Sequence, residues 1–201
     1  MGVKSTKWII GIDEAGRGPL AGPVVVGAVK ISRYATKILR GIRDSKKLSA
    51  KKREEWFAFL TKHPRITWAV AAISPRVIDR INISCATNLG VRRVCSKLSL
   101  ERRKFRWEQN GHMLLDGGLK LPHHIPHKVI IKGDEKIPVI AAASIIAKVT
   151  RDRQMVRLHK KYPQYRFDIH KGYGTKLHRE LVQKFGRSAV HRKSFAVLTV
   201  A

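Results

Sequence analysis

Ile9-Ile10-Gly11-Ile12-Asp13-Glu14-Ala15-Gly16-Arg17-Gly18-Pro19 decides the reading of this chain, because an apolar run ends in two adjacent carboxylates followed at once by an arginine between glycines. The β-branched residues before Asp13 favour a buried strand, and Gly16 and Gly18, lacking a Cβ, are expected to let a ligand approach the backbone. Neighbours on a regular strand point to opposite faces. For Asp13 and Glu14 to share one site, the pleat is therefore expected to stop at the Ala15-Gly16-Arg17-Gly18 segment. Gly16-x-Gly18-x-x-Ala21 also fits a dinucleotide-binding G-x-G-x-x-A pattern. Pro19 and Pro23 interrupt it, a β-branched run replaces the required helix, and two carboxylates would face the pyrophosphate, so that reading is set aside.

Working outward, residues 7–13 and 23–31 read as two strands joined by a Gly/Pro-rich turn. Residues 49–61 read as a helix capped by Ser49, with Trp56, Phe57 and Leu60 on one face. A third strand is expected over Ile66 to Ile73, and Pro75 opens a helical region to about Lys104 with a possible break at Gly90. Two further strands are expected near His112 to Leu115 and Lys128 to Ile131. Residues 138–161 give the clearest helix, with Val139, Ala143, Ile146 and Val149 on its core face. Initial hairpins followed by strand–helix alternation predict an α/β fold, a mixed central sheet with an antiparallel hairpin portion flanked by helices. One domain over residues 1–201 is expected, and no repeat or interdomain linker interrupts it.

The 201 residues carry 42 Lys and Arg against 14 Asp and Glu, a formal net charge of +28. Such an excess points to a polyanionic partner, since neutralising phosphates releases counterions. No apolar run reaches the ~18 to 20 residues that span a bilayer, so no membrane partner is expected. Cys85 and Cys95 fit free thiols in a reducing cytoplasm, and their spacing offers no metal pair. The string His123, His124, His127 is interrupted by Pro122 and Pro126 and reads as a solvated loop, not a zinc site.

Few as the acids are, three strand ends deliver them: Asp13 and Glu14, Asp116 in Leu114-Leu115-Asp116-Gly117-Gly118, and Asp134 in Ile130-Ile131-Lys132-Gly133-Asp134. Hard oxygen ligands gathered in this way suit Mg²⁺ or Mn²⁺ and repel one another without a cation. Two such ions ~3.5 to 4 Å apart are what hydrolysis of a phosphodiester by metal-activated water requires.

Taken together and in order, GIDEAGRGPLAGPVVVGAV, DSKKLS, LLDGG, IKGD, AAASIIAKVTRDR, HKGYGT and HRKSF resemble the motifs of the ribonuclease HII family, the type 2 ribonucleases H, across residues 9–195. The resemblance implies an RNase H-like fold and endonucleolytic hydrolysis of RNA in RNA–DNA hybrids. It also implies nicking 5′ to ribonucleotides embedded in duplex DNA, leaving a 5′-phosphate and a 3′-hydroxyl. By motif position Asp13, Glu14, Asp116 and Asp134 are similar to the family's four catalytic acids. The first three are the expected metal ligands, and Asp134 is expected at the second ion or in product release.

The same resemblance gives Gly16, Arg17 and Gly18 the recognition of the 2′-hydroxyl through backbone contacts, and gives Tyr173 the sensing of the sugar after the ribonucleotide. Ser45, Lys46 and Lys47 are expected to contact phosphate, with Lys148 and Arg151 extending that path. Ser144 reads as a small packing residue. The chain ends soon after the HRKSF motif, so no long helical C-terminal extension is expected. Nor does any sliding-clamp motif stand out; the expected state is a monomer. Two other classes remain open at this point. A basic RNA-binding module would need no acids on strand ends, and another RNase H-like nuclease would cut all-DNA junctions.

Overall fold

The structure is a computed structural model and describes residues 7–42, 48–98, 111–121 and 125–197. Ser45, Lys46, Lys47, His123 and His124 lie outside the described residues, so their expected roles are not addressed by it. Five strands form one sheet in the order β3-β2-β1-β4-β5. They are β1 (Trp8–Ala15), β2 (Val24–Ser32), β3 (Ile66–Ile73), β4 (Gly111–Asp116) and β5 (His127–Ile130). β1, β2 and β3 pair antiparallel as a meander, whereas β1, β4 and β5 pair parallel. The expected mixed α/β sheet is therefore present, and β1 is the strand where the two halves meet.

Alternation along β1 divides the core. Ile10 and Ile12 face the same side as Val26, Ala28, Met113 and Leu115, and pack on Val91, Val94 and Cys95 of α2 (Pro75–Lys97). On the opposite side Val29 and Ile31 meet Leu60 of α1 (Ala50–Lys62) and Val139, Ile140 and Ala143 of α4 (Pro138–Lys161). Helix α4 is buried along its first three turns because it lies against β1 and β2, which explains its run of small and branched residues. Ser49 caps α1 by accepting from Lys52 N at 3.2 Å, as the sequence predicts.

α2 departs from expectation in where it breaks. Gly90 sits inside a continuous helix, because a Cβ there would stand 2.5 Å from Val26 Cγ2, so glycine serves close packing against β2. The break is at Asn82, whose backbone leaves the helix at φ 62° and whose Oδ1 accepts from Cys85 N at 2.9 Å. An asparagine that tolerates the left-handed region restarts the helix as an internal cap. Cys85 is exposed and Cys95 buried, both as free thiols.

Beyond α4 the chain builds a small second core. Tyr165 and Phe167 stack at 5.5 Å and join Ala21, Met155 and Val182. This core includes α5 (Phe167–His170) and α6 (Lys176–Phe185), the latter capped by Thr175 through His178 N at 3.3 Å. Its effect is to place residues 170–192 against the loop that follows β1. A short α3 (Gly133–Lys136) bridges β5 and α4. Among the described residues no helix is long and apolar enough to cross a membrane.

Candidate active site

The site forms at the carboxyl ends of the parallel strands, where ligand crevices of open α/β sheets lie. β1 and β4 last pair at Ile12 and Leu115, so Asp13 and Asp116 emerge side by side where the two strands part. β5 then runs into Gly133 and Asp134, and Gly133 N donates to Asp116 Oδ1 at 2.6 Å. That bond fixes one Asp116 oxygen and ties the β4 end to the turn carrying Asp134. Asp13 and Asp134 are buried, while Asp116 and Glu14 are half-buried.

The pleat does not stop before Glu14. β1 stays paired with β2 through Asp13–Gly27, Glu14–Val26 and Ala15–Val25 and ends at Ala15, within the segment where the pleat is expected to stop. Even so, the Asp13 and Glu14 carboxyls lie within hydrogen-bonding reach of one another. Glu14 N also donates to Asp13 Oδ1 at 2.7 Å.

Gathering acids has an electrostatic cost. Burial, then repulsion from Glu14 and Asp116, holds the Asp13 carboxyl well above the usual carboxylate range, opposed by a hydrogen bond from Ser144. Burial raises the Glu14 carboxyl too; Arg17 opposes this and Asp116 reinforces it. Arg17 stands 3.5 Å from Glu14 Oε1, and Glu14 Oε2 is buried without a hydrogen-bond partner among the described residues. A buried carboxylate oxygen lacking a donor is a ligand position awaiting a cation.

Among the described residues no three carboxylate or imidazole side chains already enclose a point where an ion could sit. A divalent hard cation still fits this set, because Mg²⁺ binds through one or two carboxylates and completes its shell with water and substrate phosphate oxygens. Asp13, Glu14 and Asp116 would hold it.

The loop after β1 is gripped from behind by two arginines that the sequence does not mark. Arg151, expected on the phosphate path, is fully buried and donates to Pro23 O at 3.0 Å, Ala21 O at 3.3 Å and Lys171 O at 3.0 Å. Arg192, in the HRKSF motif, donates to Gly16 O and Arg17 O at 2.6 Å each and to Gly22 O at 3.0 Å. Burial, then repulsion from Arg151, lowers the Arg192 guanidinium to about 9, and burial lowers Arg151. Lys148 is paired with Asp152 at 2.8 Å, so it too is engaged within the fold.

The two loop glycines therefore serve different ends. Gly16 has φ 92°, and a Cβ would lie 1.9 Å from Arg151 Nε, so its bareness makes room for the protein's own arginine. Gly18 has open space where a Cβ would point, which suits an approaching ligand. Ser144 is more than a packing residue, since it bonds to the Asp13 carboxyl from α4. Tyr173 is 43% exposed beside this loop, with the Arg151 guanidinium 5.5 Å from its ring centroid. The structure thus brings Asp13, Glu14, Asp116, Asp134, Arg17 and Tyr173 to one end of the sheet. The residues that sequence reasoning missed are Arg192 and the true roles of Arg151 and Ser144.

The family model described as ribonuclease HII matches residues 10–198. The chain belongs to the ribonuclease HII family. It is 46% identical over 190 residues to the ribonuclease HII of Caldicellulosiruptor bescii, covering 94% of this chain and 86% of that protein. A ribonuclease HII of Chlamydia pneumoniae is likewise 46% identical, with 94% of this chain and 83% of the other covered. Among solved structures, the RNase HII in the PCNA:RNase HII complex from Archaeoglobus fulgidus superposes with a TM-score of 0.77 at 27% identity, covering 96% of this chain and 97% of that one. Ribonuclease H2 from Pyrococcus horikoshii OT3 gives 0.72 at 27% identity over 94% of both chains. The ribonuclease HII assignment fixes the fold as RNase H-like and the protein as a ribonuclease H enzyme.

Proposed function

We propose that the protein hydrolyses RNA in RNA–DNA hybrids and nicks duplex DNA on the 5′ side of an embedded ribonucleotide, leaving a 5′-phosphate and a 3′-hydroxyl. The observation that carries the proposal is the crowding of Asp13, Glu14 and Asp116 around the unpartnered Glu14 Oε2, directly beside the Gly16–Gly18 backbone. A pair of Mg²⁺ or Mn²⁺ ions supplies an activated water and charge neutralisation for in-line displacement at phosphorus. Every other part of the task falls to the chain itself.

Ser144 and Glu14 N keep the Asp13 carboxylate aimed, and Gly133 N does the same for Asp116. Asp134, on the turn tied to Asp116 through Gly133 N, would act at the second ion or in product release. With its carbonyls at Gly16 and Arg17 committed to Arg192, the loop is left to present its remaining groups at Gly18 to a ribose 2′-hydroxyl. Tyr173 offers a flat ring to the next sugar. A groove between α1 and α4 lined by Arg53, Arg153, Arg157 and Lys171, with Glu54 and Asp152 among them and Arg153 paired to Glu54, would offer its remaining cations to phosphates.

The test is incubation with Mg²⁺ or Mn²⁺ and a labelled DNA duplex holding one ribonucleotide, beside all-DNA and EDTA controls. A metal-dependent nick 5′ to the ribonucleotide alone is expected. Binding without a nick would overturn the assignment, and cleavage of the all-DNA duplex would redirect it to another nucleic acid.

A further inference from the structure

Behind Tyr173 three imidazoles pack together, and their partners fix which nitrogen of each carries hydrogen. His178 Nδ1 lies 2.9 Å from Tyr173 O, an acceptor only, so Nδ1 is the protonated nitrogen and Nε2 carries a lone pair. That Nε2 is 3.0 Å from His191 Nε2, which must then be the donor. His191 Nδ1 is consequently an acceptor, and it receives Ser188 N at 2.9 Å, with the Ser188 hydroxyl 2.8 Å away. His170, stacked on His178 at 4.2 Å, donates from Nε2 to Tyr165 O at 2.7 Å and accepts Gly172 N at Nδ1 at 3.1 Å. All three assignments close without conflict, each imidazole being neutral.

One hydrogen-bonded line therefore runs from Ser188 through His191 and His178 to the peptide carbonyl of Tyr173. From the other direction Tyr173 N donates to His170 O at 2.9 Å. The peptide groups on both sides of the tyrosine are held, while its ring stays half exposed at the site. The same segment is sewn to the loop after β1, since Leu20 N donates to Gly172 O at 2.8 Å and Gly22 N to Val190 O at 2.9 Å.

We propose that His191 and His178 are positioning residues for junction recognition, a neutral imidazole relay that sets where the Tyr173 ring stands against the substrate sugar. This rests on the reading of Tyr173 given above. Burial, followed for His178 by neighbouring His170, lowers both imidazoles to about 4, so the relay is uncharged at neutral pH. A charged partner would place two N–H groups face to face, and no acceptor would remain between the rings.

The experiment compares kcat and KM on a duplex with one ribonucleotide and on an all-RNA strand paired with DNA, for wild type, His191→Phe, His191→Gln, Tyr173→Ala and the His191→Phe, Tyr173→Ala pair. Losing one buried hydrogen bond should lower kcat/KM for His191→Phe by about tenfold on the single ribonucleotide and by about twofold on the hybrid. His191→Gln, whose amide can still donate to His178, should recover most of this, and His191→Phe should add nothing to the selectivity change of Tyr173→Ala. Equal losses on both substrates, or selectivity altered by Tyr173→Ala but not by His191→Phe, would overturn the relay while leaving the tyrosine reading intact. Unchanged selectivity in Tyr173→Ala would instead remove the reading on which it rests. Independently of any variant, ¹⁵N spectra of the imidazoles at neutral pH should show His178 protonated at Nδ1 and His191 at Nε2; the same tautomer on both, or a charged ring, would also overturn it.

Discussion

Two regions flanking the loop after β1 handle buried charge in opposite ways. On one side Asp13, Glu14 and Asp116 are crowded together, repel one another and leave a carboxylate oxygen without a donor. On the other, Arg151 and Arg192 are more deeply enclosed, and backbone carbonyls from residues 16–23 and 171 meet their guanidinium groups, with Arg151 Nη1 left without a hydrogen-bond partner among the described residues. Burial alone does not distinguish a working charge from a structural one. What separates them is what surrounds them: the arginines are met by backbone carbonyls, whereas the acids face one another.

Asp13→Asn should break the acidic side most completely, lowering kcat by on the order of 10³-fold or more while sparing most duplex affinity. The basic surface carries that affinity, so gel-shift binding in EDTA should be nearly unchanged. The same substitution relieves repulsion, and melting in EDTA should rise compared with wild type. Near-wild-type cleavage by Asp13→Asn would collapse the contrast between the two regions.

Arg192→Ala attacks the other side. Three carbonyls would lose a charged donor, and urea unfolding should show a loss of ~3 kcal/mol. An arginine that served only substrate phosphates would cost little stability. The histidines behind Tyr173 make stability depend on pH. Unfolded imidazoles take up protons near 6.5, whereas folded His178 and His191 resist to about 4, so the unfolded chain binds more protons between these values. Stability should therefore fall as pH drops from about 6.5 to 4 and be flat with respect to these groups above 7. The His191→Gln variant should show a shallower decline in the same titration.

Ser144→Ala should have the mildest effect. Its hydroxyl is one of the few groups that favour the charged form of Asp13, so kcat should fall by about fivefold, corresponding to one hydrogen bond of ~1 kcal/mol. An unchanged kcat would return Ser144 to the packing role that its sequence context suggests.

Much of the fold is visible in residue patterns because burial on one face of a strand or helix imposes a period. β3 and α4 occupy the residues expected of them, and Ser49 caps α1 as its position implies. The acids were legible too, since a carboxylate at the end of an apolar run is a local signal. Two things were not. Asn82 and Gly90 exchange roles because a glycine under Val26 and a glycine in a break look alike in one dimension. Arg151 and Arg192 lie in basic stretches, where a surface is the ordinary expectation, and only the meeting of three distant segments buries them. Asp79 is similar: an acid on α2 receives Lys193 N and Ser194 N at 3.0 Å each, stapling the HRKSF segment in a way no spacing announces.

The clasp of Arg192 on Arg17 spans 175 positions of the chain. Synthesis proceeds from the amino terminus, so Asp13 and Glu14 are made long before the guanidinium that steadies the loop beside them. A nascent chain can form the β1–β2–β3 meander early, from neighbours, but the loop beside the acids must wait until residue 192 has been made to gain this distant contact. A ribosome-bound fragment that stops short of Arg192 would thus carry the acids without the guanidinium that steadies the loop beside them.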